Sequence, residues 1–161
     1  MVFAYIRGIE DFSFSQQRCS WRFADGRSIP SLVQDILRGT AAYVSLPPIE
    51  VVPLDIGGHI TLVSIDNRRL ASFVIAQILL GEQRRVVVPV RFTCFNELRR
   101  GRLRRFRRTS RLGIRPEIKI RWGHLSLIVS IHGQWRVVPR SGNHRRRRRH
   151  RLRWFAHRHT L

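Results

Sequence analysis

Charge constrains this chain more than any other feature, because it separates a part that can fold alone from a part that resists compaction. Residues 1–98 carry ten Arg and nine Asp or Glu, a net of +1. Residues 99–161 carry 21 Lys or Arg and one acid, Glu117, a net of +20. Nearly all of the formal +21 thus sits in the second part. Such a field repels itself and costs stability in a free protein. Beside a polyanion it becomes favourable, since each neutralised phosphate releases counterions. Of the 31 basic residues all but Lys119 are Arg. A guanidinium forks onto phosphate and stacks on bases, which an ammonium does not do. Codon bias in a GC-rich genome explains Arg over Lys equally well, but not the collection of charge at one end.

A length of 161 residues with 43% hydrophobic content allows one domain with an extension or with a small second module, and a real core. No apolar run approaches the roughly 20 residues that span a bilayer. The most apolar stretch, Ile75 to Leu80, has the length of a core helix segment. Cys19 and Cys94 are far apart and lack CxxC or His spacing, which argues against zinc and against a secreted disulfide framework. Both read as buried thiols in a reducing compartment. Met1 to Ile9 is apolar with one Arg, but Glu10 and Asp11 follow, unlike a transit peptide. A mitochondrial protein with an uncleaved N-terminus and an organelle-encoded protein both remain compatible.

Local patterns divide the chain into four parts: an extension, 1–23, with a strand near Ser20–Phe23; a core, 24–92; an Arg-rich helix or loop plus a β-meander, 93–139, either completing the core or standing alone; and a basic tail, 140–161. Asp25-Gly26-Arg27 is a turn signal, Ser28 a helix cap with Pro30 in the first turn, and Ile29, Leu32, Val33, Ile36 and Leu37 recur at helical spacing up to Gly39. Ile49 to Leu54 and His59 to Ile65 predict a hairpin about Gly57-Gly58. Asp66 caps a second helix whose face is Leu70, Phe73, Val74, Ile78 and Leu79, ending at Gly81. Val86 to Val90 reads as a buried strand, placed at an edge or a strand end by Pro89. Glu97 to Arg111 is helix-like with eight Arg between 99 and 111, and only Leu98, Leu103 and Phe106 available to anchor it. Glu117–Trp122, Leu125–Ile131 and Gln134–Val138 predict a small antiparallel meander.

One ordered set of segments is sharper than the rest. Asp25-Gly26-Arg27-Ser28-Ile29, Pro47-Pro48-Ile49-Glu50-Val51, Ile60-Thr61-Leu62, Asp66-Asn67-Arg68-Arg69-Leu70-Ala71-Ser72-Phe73 and Val88-Pro89-Val90-Arg91 follow one another over 24–92. This order resembles the ParB/sulfiredoxin-like domain, in particular branches with a TLDNRRLAAF-type segment. The resemblance implies an α+β fold: a small mixed sheet with two or three helices, here followed by the meander and the tail. It also implies that Asn67, Arg68 and Arg69 hold phosphate at the strand-to-helix turn. A helix N-terminus favours anions on physical grounds alone. The nucleophilic Cys that sulfiredoxins place before this turn is missing, and so is the Gly-rich, Glu-containing form of nucleotide-hydrolysing members. No catalytic residues are therefore expected, although a degenerate nuclease or nucleotidase stays open. Arg68 and Arg69 read equally well as ion-pair partners of Asp66 or Glu50, and Asp66 as a plain cap before a metal ligand.

Four of the seven His lie in the tail amid nine Arg, where a cation would be repelled, so they read as donors to phosphate and bases. His59, His124 and His132 read as structural. No Ser/His/Asp set, P-loop or carboxylate pair is present, and ten acids leave general acid–base chemistry few players. No cofactor or metal is expected. The residues expected at phosphate or bases are Asn67, Arg68 and Arg69; Arg99, Arg100, Arg102, Arg104, Arg105, Arg107 and Arg108; and, in the tail, Arg145, Arg146, Arg147, Arg148, Arg149, Arg151, Arg153 and Trp154. Arg interleaved with Trp154 and Phe155 suits a backbone with stackable bases. The expectation is a non-enzymatic RNA-binding structural component of a large ribonucleoprotein. A ribosomal particle is favoured, mitochondrial rather than cytoplasmic, with rRNA and neighbouring proteins as partners, no membrane contact and no obvious homo-oligomer. The alternatives are a ParB-like DNA-binding protein or nuclease, and a structural subunit of a membrane-bound organellar complex.

Overall fold

The computed structural model describes residues 9, 12–39, 47–82, 84–98, 100–110 and 115–139, the side chains of 95, 105 and 107–110 aside. The first strands are β1, Phe12–Phe14, and β2, Arg18–Ser20. Helix α1, Ile29–Arg38, follows. Its start is fixed by the Ser28 hydroxyl, which accepts from the Ser31 N–H at 3.2 Å, with Pro30 in the first turn. Gly39 ends it in the left-handed region, φ 62°.

Strands β3, Ile49–Ile56, and β4, His59–Ser64, form the expected hairpin. Gly57 and Gly58 are the two loop residues, with φ of 64° and 86°, the two positive values of a type I′ turn. Helix α2, Asn67–Leu80, ends at Gly81. The amide of Gln77 donates to the Gly81 and Arg84 carbonyls and accepts from Val86 N–H, which holds the chain as it leaves α2. Strand β5 is Val90–Phe92, so the valine run before Pro89 is not itself a strand. Val86 spends its N–H on Gln77, and Pro89 has none to give. Helix α3, Arg100–Ser110, leads to β6, Glu117–Trp122, β7, Leu125–Ser130, and β8, Trp135–Pro139.

The described residues thus form an α+β fold with three α-helices and two mixed four-stranded sheets. The first has the order β1-β4-β3-β5 and the second β2-β6-β7-β8. In each, a short strand from the first 20 residues runs parallel to its partner, β1 beside β4 and β2 beside β6. Phe12 and Phe14 are essentially buried, so residues read as an N-terminal extension supply an edge to both sheets. The N-terminal strand signal falls at Arg18–Ser20, with only an isolated bridge from Arg22 to Ser28 beyond it.

One core joins both sheets to α1 and α2. Phe12, Phe14, Ile49, Val51 and Val90 meet Leu32, Val33, Leu70 and Phe73, and these meet Ile118, Ile120, Leu127 and Val129. The meander therefore shares its core with the hairpin and the two helices. Each large side chain so enclosed is worth about 1.5–3 kcal/mol in removed apolar surface. The opposite face of the first sheet carries Val52 and Val63, and Leu98, Phe106 and Leu103 pack there. All three anchors expected for the Arg-rich helix make this contact. No helix of the described residues is long and apolar enough to cross a membrane.

The two thiols differ. Cys19 lies in the core, and burial pushes its pKa up to about 12, against the smaller opposing pull of Arg68 and Arg121. Cys94 is exposed, which corrects the expectation that both are buried. At pH 8 the buried thiol holds roughly one part in ten thousand as thiolate, the reactive form. Alkylation of the native protein is expected to add one label, at Cys94, and a second only after unfolding. Two labels at similar rates in the native state would contradict this burial.

Candidate nucleic-acid interface

The turn into α2 is built from contacts that hold the fold together. Asn67 is 3% exposed. Its Oδ1 accepts from Ser15 N–H at 2.9 Å, and its Nδ2 donates to Ser15 Oγ at 2.9 Å and to the Ile65 carbonyl at 3.4 Å. Both donor hydrogens are committed, so the Asn67 side chain offers nothing to a phosphate here. Asp66 occupies the cap position without capping. Its Oδ2 accepts from Glu50 N–H at 3.0 Å and from Arg69 Nη2 at 2.7 Å, so the carboxylate joins β3 to α2 instead of closing the helix N-terminus. Arg69 also donates to the Pro47 carbonyl. Of the two readings for Arg69, the structure has the ion pair with Asp66. Arg68 is the least committed of the three, donating from Nη1 to the Arg22 carbonyl at 2.7 Å at an exposed position.

Glu50 makes the contact that sequence reading did not find. Its carboxylate, 12% exposed, is held from two sides by Arg91 of β5 and Arg102 of α3. Glu50 and Arg91 are directly paired across β3 and β5, on the face that carries α3. These groups line a cleft of about 480 Å³ with Thr93 and Glu97. The partners lie 41 and 52 residues from Glu50, so no local pattern marks them. Charge-assisted bonds to a nearly buried carboxylate are among the stronger ones. Glu50→Gln is expected to lower stability by about 1–2 kcal/mol, read as a lower urea midpoint. An unchanged midpoint would show that the clasp adds nothing to the seating of α3.

Leu103 and Phe106 turn one side of α3 to the sheet, Leu98 packs beside them just ahead of the helix, and Arg100, Arg102 and Arg104 are exposed. Arg105, Arg107 and Arg108 lie on the same helix, but their side chains fall outside the described residues. Also outside are Arg99 and the tail residues Arg145, Arg146, Arg147, Arg148, Arg149, Arg151, Arg153 and Trp154. Glu50 links the turn at 66–69 to α3: its N–H bonds Asp66 and its carboxylate holds Arg102.

A second basic and aromatic cluster lies where β2 and β6 end. The Trp21 and Trp122 rings stack with centroids 5.2 Å apart and planes 14° off parallel. The Arg22 guanidinium carbon sits 4.5 Å from the centre of the Trp21 ring. Among the described residues no group of three or more His, Cys, Asp or Glu is placed to hold a metal ion. Comparison with family models, with curated proteins and with solved structures finds no match to this chain.

Proposed function

We propose that this protein is a non-enzymatic RNA-binding component of a large ribonucleoprotein. A ribosomal particle is favoured, and a mitochondrial one is the first place to look. The carrying observation is the segregation of charge. Apolar residues between Phe12 and Ile131 seal the fold, while Arg collects in 99–111, where Arg100, Arg102 and Arg104 are exposed, and in the 140–161 segment. Binding of this kind follows phosphate and shape, with little base reading. The folded part is proposed as a ParB/sulfiredoxin-like unit that docks rather than catalyses. The internal bonds of Asn67, Asp66 and Arg69 support that reading, since they occupy the groups a phosphate or metal would use.

The test is copurification at near-physiological salt, before and after RNase. Sedimentation with ribosomal particles and release by RNase are expected. Recovery free of RNA, or with DNA after RNase, would overturn the proposal. Metal-dependent cleavage lost in Asp66→Ala would then become the next assay.

A further inference from the structure

We infer that the outer face of the second sheet is a further RNA-phosphate surface, distinct from α3 and the tail and centred on Arg18, Lys119 and Arg121. The inference rests on the RNA-binding reading above. Strands β2 and β6 place Arg18 opposite Lys119, Cys19 opposite Ile120, and Ser20 opposite Arg121. Cys19, Ile118 and Ile120 are buried in the shared core. Alternation along each strand then turns Arg18, Ser20, Lys119 and Arg121 away from it. Arg18 and Arg121 are exposed and Lys119 is half-buried.

The register carries this face across the sheet. Lys119 is opposite Ile128, which is opposite Arg136, so Arg18, Lys119, Ile128 and Arg136 stand abreast on four strands. At about 4.8 Å between neighbouring strands the row is roughly 14 Å wide. Glu117 is the one acid in these strands, and it faces Arg136 at 3.3 Å with both side chains well exposed. An exposed pair of this kind neutralises little. No ion pair holds Arg18, Lys119 or Arg121 among the described residues. The stacked Trp21 and Trp122 belong to the other, core-facing side of the sheet, beside Ile29, Val33 and Ile120, so this face is set by its cations alone.

Cations set abreast on several strands, with only the small Ser126 and Ser130 buried among them on this face, suit a chain of phosphates better than a single small anion, which needs enclosure. Lipid headgroups are also anionic. However, a surface that inserts into a bilayer combines cations with exposed apolar side chains. Here the apolar residues between the cations, Ile128 and Val138, are half-buried in the sheet.

Lys119 is the sole lysine, which gives a direct readout on the wild-type full chain. Acetylation of its amine is followed by mass spectrometry with and without a saturating single-stranded RNA oligonucleotide. Loss of labelling at Lys119 on RNA addition is expected. In parallel, the full-length triple variant Arg18→Gln/Lys119→Gln/Arg121→Gln is titrated against salt. Its log–log slope should fall by about 2 relative to wild type, at roughly 0.7 per phosphate contact on a single strand. Arg100→Gln/Arg102→Gln/Arg104→Gln on α3 is the companion variant. Wild-type protein that binds no RNA sinks both readings. If wild type binds RNA and the α3 variant weakens it, unchanged Lys119 labelling and an unchanged slope in the sheet variant overturn this inference alone. A sheet variant that loses binding to phosphatidylserine vesicles while keeping its RNA slope overturns it in favour of lipid. Should the triple variant unfold, the labelling of wild-type Lys119 decides by itself.

Discussion

Deleting residues 140–161 is expected to weaken RNA binding about a thousandfold or more near 100 mM salt and to leave the melting temperature of the fold unchanged. The deleted segment holds nine Arg. A protein that neutralises six to ten phosphates loses about 10³–10⁵ in affinity between 50 and 200 mM salt, so such a set dominates binding. Among the described residues, the enclosed side chains of the shared core run from Phe12 to Ile131. The measurement is a pair of titrations, RNA affinity and thermal melting, on the full chain and the truncated one. A truncated protein with full RNA affinity would place the anchor elsewhere. One that melts well below the full chain would show that the tail supports the fold.

The second large effect falls on stability. Asn67→Ala is expected to destabilise the protein by about 2–3 kcal/mol, a drop of roughly 5–10 °C in melting temperature for a chain of this size. Asn67 ties the start of α2 to Ser15, the link between β1 and β2, across 52 residues of sequence. Removing the amide takes the 2.9 Å acceptor from Ser15 N–H and leaves only the Ser64 carbonyl at 3.3 Å. It also opens a small void in a closed region. The salt slope of RNA binding should not change. A lower slope with unchanged stability would return Asn67 to the phosphate role that its sequence context suggests.

These two cases mark what can and cannot be read from such a sequence. Helix α1 was legible because its signals are local: the Ser28 cap, Pro30 and the left-handed Gly39 all lie within 12 residues. The hairpin about Gly57-Gly58 was legible for the same reason. Leu98, Leu103 and Phe106 stood out because so little else in that segment is apolar, and they do pack on Val52 and Val63. Strands β1 and β2 left almost no trace. Each is three residues long and pairs in parallel with a partner roughly 50 or 100 residues away, so its meaning lies in the partner and not in its own pattern.

The site divides the same way. The Asp66–Arg69 segment was recognisable as a helix start, but its free groups depend on the neighbours the fold supplies. Ser15, Glu50 N–H and the Pro47 carbonyl claim Asn67, Asp66 and Arg69, and none of these is adjacent in sequence. The clasp of Glu50 by Arg91 and Arg102 needed three elements to be placed before it existed. The row of Arg18, Lys119 and Arg136 likewise appears only when four strands are set in register.

The central claim is that phosphate contacts made by Arg hold this protein on RNA. The most direct measurement is the affinity of the full chain for a structured RNA from 50 to 300 mM salt, with competitor DNA present. The account predicts a log–log slope with magnitude of at least about 6, from eight or more neutralised phosphates at roughly 0.7–0.9 each. A slope shallower than about 2, or equal preference for duplex DNA, would contradict it.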